Sequence, residues 1–228
     1  MKYAWLLVPI LIFASQGVAL SQDYLPLATG NRWVYQGSLG AEETHHVTGT
    51  VSIWGSDVWV IRYENSTYNE GLENYWTTDP DGDVNVWGFF ISSEGWGYLY
   101  RPSIKILDAP LYVGKEWSQT VYNYQLPDTT LMGSFVIAFR VYEETDLTVP
   151  AGTFHVFGIG QTMPPGFPPN RTLTGAFRST REDNTTDWWA DQVGEAQYLS
   201  DETYQLYSYE QPTPVRKTTW GAIKALYQ

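Results

Sequence analysis

The chain has 228 residues, no cysteine and a formal charge of −12. Without thiols it has no disulfides, no thiolate metal site and no lipid-modified cysteine, and a chain of about 200 residues buries enough core to fold as one domain without them. The acidity disfavours nucleic acid and anionic headgroups as partners, while Trp 11, Tyr 17 and Phe 9 suit the half-buried surfaces of sheets.

The first segment is an export signal. Lys2 precedes the apolar run Leu6 to Ala14, and small residues follow at Gly17, Ala19 and Ser21. That layout is a secretory signal peptide over 1–21; cleavage after Ser21 or after Ala19 fits the small residues, and Ser21 is preferred, leaving Gln22 first. The run is shorter than the roughly 20 apolar residues that span a membrane. The expected location is therefore extracytoplasmic (periplasmic, cell surface or secreted), with no stable membrane span after cleavage. Loss of Lys2 takes the charge from −12 to −13.

Residues 22–208 read as an antiparallel β domain. Val47 to Trp54 alternates, turns near Gly55-Ser56-Asp57, and returns as Val58 to Tyr63. Asn74 to Thr78 and Val84 to Phe90 flank Asp79-Pro80-Asp81-Gly82-Asp83, whose Asp-Gly supplies a tight turn. Gly133 to Glu144 and Thr153 to Gly160 read as strands. Leu173 to Arg181 is expected to pair with Asp187 to Ala190 or with Tyr198 to Tyr209. No 3.6-residue apolar period appears before residue 218.

An internal repeat divides the domain. Pro26-Leu27-Ala28-Thr29-Gly30-Asn31-Arg32-Trp33 recurs as Pro110-Leu111-Tyr112-Val113-Gly114-Lys115-Glu116-Trp117. Proline fixes an extended entry, glycine permits the turn, and tryptophan opens a strand facing the core. Each copy is expected to open one half of the sheet. Residues 161–172 contain four prolines and form a loop. Residues 209–217 form a Pro-containing linker, and 218–228 a short helix with Trp220, Ile223, Leu226 and Tyr227 on one face. A helix so short must dock on its own sheet, a partner or a sorting machine.

These motifs resemble a bacterial extracytoplasmic family of unknown function. The resemblance rests on Pro26-Leu27 through Tyr35, on Pro110 through Trp117, on Val149-Pro150-Ala151-Gly152-Thr153-Phe154, and on Trp188-Trp189 through Val193-Gly194 and Tyr198. It implies a curved antiparallel sheet, similar in outline to the half-barrels of lipoprotein-localisation carriers, which hold acyl chains on a concave face. It carries no catalytic residues. The C-terminal segment from Thr213 to Lys224 also resembles short tags on other exported bacterial proteins.

Local chemistry motifs are sparse. Asp79, Asp81 and Asp83 are the best calcium candidate, but glycine is fourth in that run, no glutamate follows until Glu94, and a hairpin turn accounts for every residue. His45 and His46 are adjacent and point to opposite faces of a strand, and His155 lies in another strand. No nucleophile elbow, phosphate loop or zinc pattern occurs. Glu42, Glu43, Glu143, Glu144, Asp183, Asp187 and Asp191 are available as paired carboxylates, and nothing singles out a pair.

Two readings stand for the aromatic residues. Trp87, Phe89, Trp96 and Tyr98, with Trp188 and Trp189, form either a ligand platform for lipid or sugar, or core and cross-strand pairs. The expected protein is mainly β, an antiparallel curved sheet or half-barrel with a short C-terminal helix. It is expected to be non-enzymatic, to need no cofactor, and to bind a lipid or other apolar or amphipathic molecule. The alternatives are a structural surface or filament subunit, self-associating or meeting a surface partner through the C-terminal helix, and a carbohydrate-binding protein.

Overall fold

The computed structural model describes residues 23–64, 71–162, 186–199 and 202–211. The expected signal peptide, nearly all of the Pro-rich loop, Leu173 to Arg181, the linker beyond Gln211, and the docking helix with Trp220, Ile223, Leu226 and Tyr227 lie outside the described residues.

Twelve strands follow one another: β1 (Arg32–Gly37), β2 (Glu42–Ile53), β3 (Ser56–Glu64), β4 (Leu72–Thr78), β5 (Val84–Ile91) and β6 (Trp96–Leu107). Then come β7 (Glu116–Leu126), β8 (Thr130–Val149), β9 (Gly152–Thr162), β10 (Thr186–Ala190), β11 (Gly194–Leu199) and β12 (Thr203–Glu210). Each pairs antiparallel with the next, and β12 pairs with β1, so the sheet closes into a barrel. The expected antiparallel curvature is present, and it runs past a half-barrel to closure, with Arg32 opposite Glu210 and Gly37 opposite Tyr204. Closure leaves fewer strand edges for unintended pairing. β12 reaches Glu210, past the expected domain end at 208.

The β2–β3 turn falls at Trp54-Gly55, slightly earlier than the sequence suggests. Both residues have positive φ, 50° and 84°, as a two-residue hairpin of right-handed twist requires. Asp79 to Asp83 makes the expected turn, with the Gly82 N–H on the Asp79 carbonyl and the Asp79 N–H on the Asp83 carbonyl, both 2.9 Å.

The repeat is a structural duplication. The N–H of Gly30 donates to the Val47 carbonyl, and the Val47 N–H returns to the Asn31 carbonyl, both 2.9 Å. Gly114, Val141 and Lys115 reproduce this pair of bonds at the same distances. Gly30 and Gly114 have φ of 95° and 90°, which favours glycine at both turns. Asn31 Nδ2 donates to the Pro26 carbonyl at 2.5 Å, and Lys115 Nζ to the Pro110 carbonyl at 3.2 Å. Bulges follow Val47 on β2 and Val141 on β8. Strands β1–β6 and β7–β12 are thus two six-strand meanders, each opened by one copy.

The described interior is lined mainly by apolar side chains. Trp33, Tyr35, Val47, Leu72, Ile104, Val121, Ile137, Val141, Trp189 and Leu206 are among its buried side chains. Trp33 Nε1 donates to the Val193 carbonyl at 2.5 Å, tying the opening of the first half to the β10–β11 turn. Glu143, Glu144 and Arg140 are exposed on β8. An apolar inside with charged positions outside is the reverse of a lipid-embedded barrel, which carries its apolar band outward.

Candidate functional site

The six aromatic residues singled out in the sequence do not form one platform. Phe89 and Trp189 are buried in the interior. Trp96 and Tyr98 are half-buried beside Phe89, in edge-to-face contacts with centroids 5.7–5.8 Å apart, and the Trp96 indole N–H donates to Glu94. Trp87 lies on the opposite face, its Nε1 on Thr77 Oγ1 at 3.1 Å. Trp188 packs against the main core from β10. For these residues the packing interpretation describes what each side chain touches.

A second apolar cluster, which sequence reasoning missed, lies on the outer face. Alternation places it there: Tyr75 sits between inward Asn74 and Trp76, and Leu99 between inward Tyr98 and Tyr100. Ile53, Val58, Tyr75 and Leu99 are its buried members, with Trp87, Phe90, Tyr124 and Leu126 packed against them. The β2–β3 hairpin tip reaches across, and the Trp54 ring meets Tyr124 edge-on at 5.4 Å.

This cluster continues into exposed apolar surface. Leu99 is opposite Tyr124, Arg101 is opposite Tyr122, and Tyr124 is opposite Leu131, so these side chains share the outer face. Trp54, Tyr122, Leu131, Met132 and Val136 are all substantially exposed. The Arg101 guanidinium lies 5.5 Å from the Trp54 ring centre, a distance at which the ring face attracts the cation. Arg62 and Arg140 pair with Glu73 and Glu116; Arg101 has no carboxylate partner among the described residues.

The interior holds a polar cluster at the β10–β4 side of the barrel. Glu43 Oε1 accepts from the Tyr198 hydroxyl at 2.6 Å and lies 2.8 Å from His45 Nε2. The His45 ring sits among Tyr63, Tyr35 and Tyr198, at 3.8, 4.6 and 5.8 Å. The Tyr35 hydroxyl donates to the Glu195 carbonyl at 3.0 Å, and Asn74 hydrogen-bonds Tyr63. Burial raises the hydroxyl pKa of Tyr35, Tyr63 and Tyr198 well above the ordinary phenol value, and neighbouring carboxylates add to this. Glu195 is raised well above a normal carboxyl, first by burial and then by Asp187 and Glu43. Burial pushes Asp187 up to about 8, against a hydrogen bond from the Leu199 backbone. The sequence offered Glu43 and Asp187 among carboxylates with no pair singled out; only strand closure brings them to one cluster.

The calcium candidate resolves into a hairpin turn and an ion-pair network. Asp83 pairs with Lys105 Nζ at 2.6 Å and accepts from the Ala109 N–H at 2.8 Å. Asp79 accepts from Asn85 Nδ2 at 3.1 Å, and Asp81 lies at the exposed tip. Among the described residues no group of three or more histidine and carboxylate side chains is arranged to hold a metal.

No family model matches the chain, and no curated protein matches it. Two solved structures resemble the chain. One is a protein from Bacteroides fragilis described as exported, with a YmcC-like fold, at 13% identity and a TM-score of 0.45, covering 83% of this chain and 100% of that one. The other is a protein from Parabacteroides distasonis described as a lipoprotein, at 16% identity and a TM-score of 0.37, covering 83% and 99%. At these values neither transfers an activity.

Proposed function

We propose that the chain is an exported, non-enzymatic binding protein, and that its outer face at the β6–β8 end holds an amphipathic molecule with an apolar body and an anionic head. Export is supported by the charge, apolar run and small residues of 1–21. The observation that carries the site is Arg101: a cation without a carboxylate partner among the described residues, seated on Trp54 in a strongly acidic chain. Beside it lie the exposed rings and aliphatic chains of Tyr122, Leu131, Met132 and Val136. An anionic head on Arg101 places a tail along these side chains. Sugars need several hydrogen-bonding groups beside their stacking rings, and the neighbours here are mostly aliphatic. The exposed apolar side chains described here lie on the outer face, and this reading puts the ligand there rather than on the concave face.

Titration calorimetry of the mature protein with a long-chain fatty acid tests this. Binding should weaken about tenfold in Arg101→Gln, the equivalent of ~1.4 kcal/mol, and again in Tyr122→Ala. A cationic surfactant of equal chain length should bind no better to the native protein than to Arg101→Gln. Absence of fatty-acid binding, or equal binding by Arg101→Gln, overturns the proposal.

A further inference from the structure

The barrel interior contains carboxyl groups that the outer-face site does not use. Asp187 and Trp189 lie two residues apart on β10 and share its inward face. Glu195 on β11 is the register partner of Trp189, so it faces inward too. Glu195 is 8% exposed, and its Oε1 is buried with no hydrogen-bond partner. A buried carboxylate without a partner is costly, and a protonated carboxyl is far less so.

The surroundings offer no counter-charge. Around this pair lie Tyr35 on β1, Glu43 and His45 on β2, Tyr63 on β3, Asn74 on β4 and Tyr198 on β11. No lysine or arginine is among the buried described residues. The one base, His45, already faces Glu43 at 2.8 Å. The tyrosine hydroxyls of Tyr35 and Tyr198 are committed to the Glu195 carbonyl and to Glu43. Neutrality at Glu195 therefore has to come from a proton.

We propose that Glu195, with Asp187 as its like-charged neighbour, keeps a proton in the fold and that the two acids act as a pH-operated latch on the β10–β11 wall. With the proton in place the wall packs against the tyrosines of β1–β3. When the proton leaves, two like charges face each other beside Glu43 and drive the wall outward. The wall is held by few ties: β10 pairs with β11 over only three register positions, with a bulge between Trp188 and Trp189. Trp189 is the register partner of Glu195 on this wall, so its contact with Trp76 across the interior loosens with it.

The sign follows from linkage. A carboxyl held protonated in the fold binds more protons there than in the unfolded chain, so stability falls as pH rises. For Asp187 the window runs from the ordinary carboxylate range up to about 8.

Urea unfolding of the full mature chain at mildly acidic, neutral and mildly alkaline pH, with hydrogen exchange corrected for intrinsic rate, tests the latch. The midpoint should fall as pH rises, and β10–β11 amides should lose protection before those of β7–β8. Glu195→Gln, which cannot ionise, should flatten most of the slope, and Asp187→Asn should flatten it in part. Infrared difference spectra of the native protein give a readout that needs no variant: a protonated carboxylic C=O band at neutral pH that disappears at alkaline pH. A stability flat across this range, an unchanged slope in both variants, or no protonated carboxyl band overturns the proposal.

Discussion

Trp76 on β4 and Trp189 on β10 occupy equivalent places in the two halves and meet across the interior, ring centres 6.4 Å apart and planes inclined by 50°. Each follows a bulge, between Tyr75 and Trp76 and between Trp188 and Trp189. The indole Nε1 of each is buried without a hydrogen-bond partner. Two unsatisfied donors are tolerated here because the rings bury a large apolar area at the junction of the halves. Trp76→Ala and Trp189→Ala should each cost ~3–5 kcal/mol in urea unfolding. The phenylalanine variants should cost less, since they remove the unsatisfied donor while keeping most of the ring volume. The double alanine variant should lose less than the two single losses added, because each single variant already removes the pair contact.

Tyr198 and Glu43 form a second tie between distant parts of the chain. The Tyr198 hydroxyl on β11 donates to Glu43 on β2 at 2.6 Å, across a sequence separation of 155 residues. Hydrogen bonds to a buried acid group contribute about 1.5–3 kcal/mol. Tyr198→Phe should lose about that amount, while its ring stacking on Tyr204, centres 5.1 Å apart, remains. Equal stability of Tyr198→Phe and the native protein would show that the hydroxyl contributes nothing.

The fold was readable where its signals are local. Alternation marked β2, β3, β5, β8 and β9, and the recurrence of proline, glycine and tryptophan marked the start of both halves. Closure was not readable, because it depends on the register between Arg32–Gly37 and Tyr204–Glu210, which are far apart in sequence. The aromatic residues were visible as a group, but their faces were not: a bulge beside Gly88 shifts the register, so Trp87 points out while Phe89 points in. Nothing local in the sequence singles out Arg101. Its place on Trp54 depends on a hairpin tip folding across two other strands. Glu195 drew no attention, since one glutamate in an acidic chain looks like surface until its strand is seen to face inward.

Lys105 anchors the hairpin turn that carries Asp79, Asp81 and Asp83. Its Nζ lies 2.6 Å from Asp83 and 2.8 Å from Asp108, and Lys115 holds the other Asp108 oxygen at 2.9 Å. Partial burial alone would lower the Lys105 pKa, but hydrogen bonds donated to Asp108 and Asp83 outweigh it and raise the ammonium to about 12. Burial would raise Asp108, and the two lysines outweigh it, holding that carboxyl below its usual value. The Asp108 contribution is therefore present above the unfolded carboxylate pKa and lost as pH falls through the lowered one. Lys105→Met should cost about 1 kcal/mol near neutral pH, since these groups keep contact with solvent. Millimolar Ca²⁺ should leave the native melting temperature unchanged because Asp83 already has Lys105. A rise on adding Ca²⁺ would show that the metal displaces the lysine.

His155 is held between two carboxylates on the outer surface of β8 and β9. Its Nδ1 lies 3.0 Å from Asp146 and its Nε2 2.9 Å from Glu144. The hydrogen bond to Asp146, then that to Glu144, raises the imidazole pKa above its ordinary 6.5 against a small opposing effect of burial. Both nitrogens face acceptors, so the doubly protonated ring satisfies both at once and the neutral ring only one. The stabilising effect is fully present below the unfolded histidine pKa and is lost as pH rises through the raised folded value. The site is well exposed, so solvent screens the effect and the readout should be titration rather than unfolding. NMR chemical shifts of the His155 ring should titrate at higher pH than in Asp146→Asn, and higher still than in an Asp146→Asn, Glu144→Gln double variant. Added salt should narrow these differences, because exposed charges are screened over about 10 Å at 0.1 M ionic strength. If His155 titrates identically in all three proteins, the two carboxylates do not hold its proton.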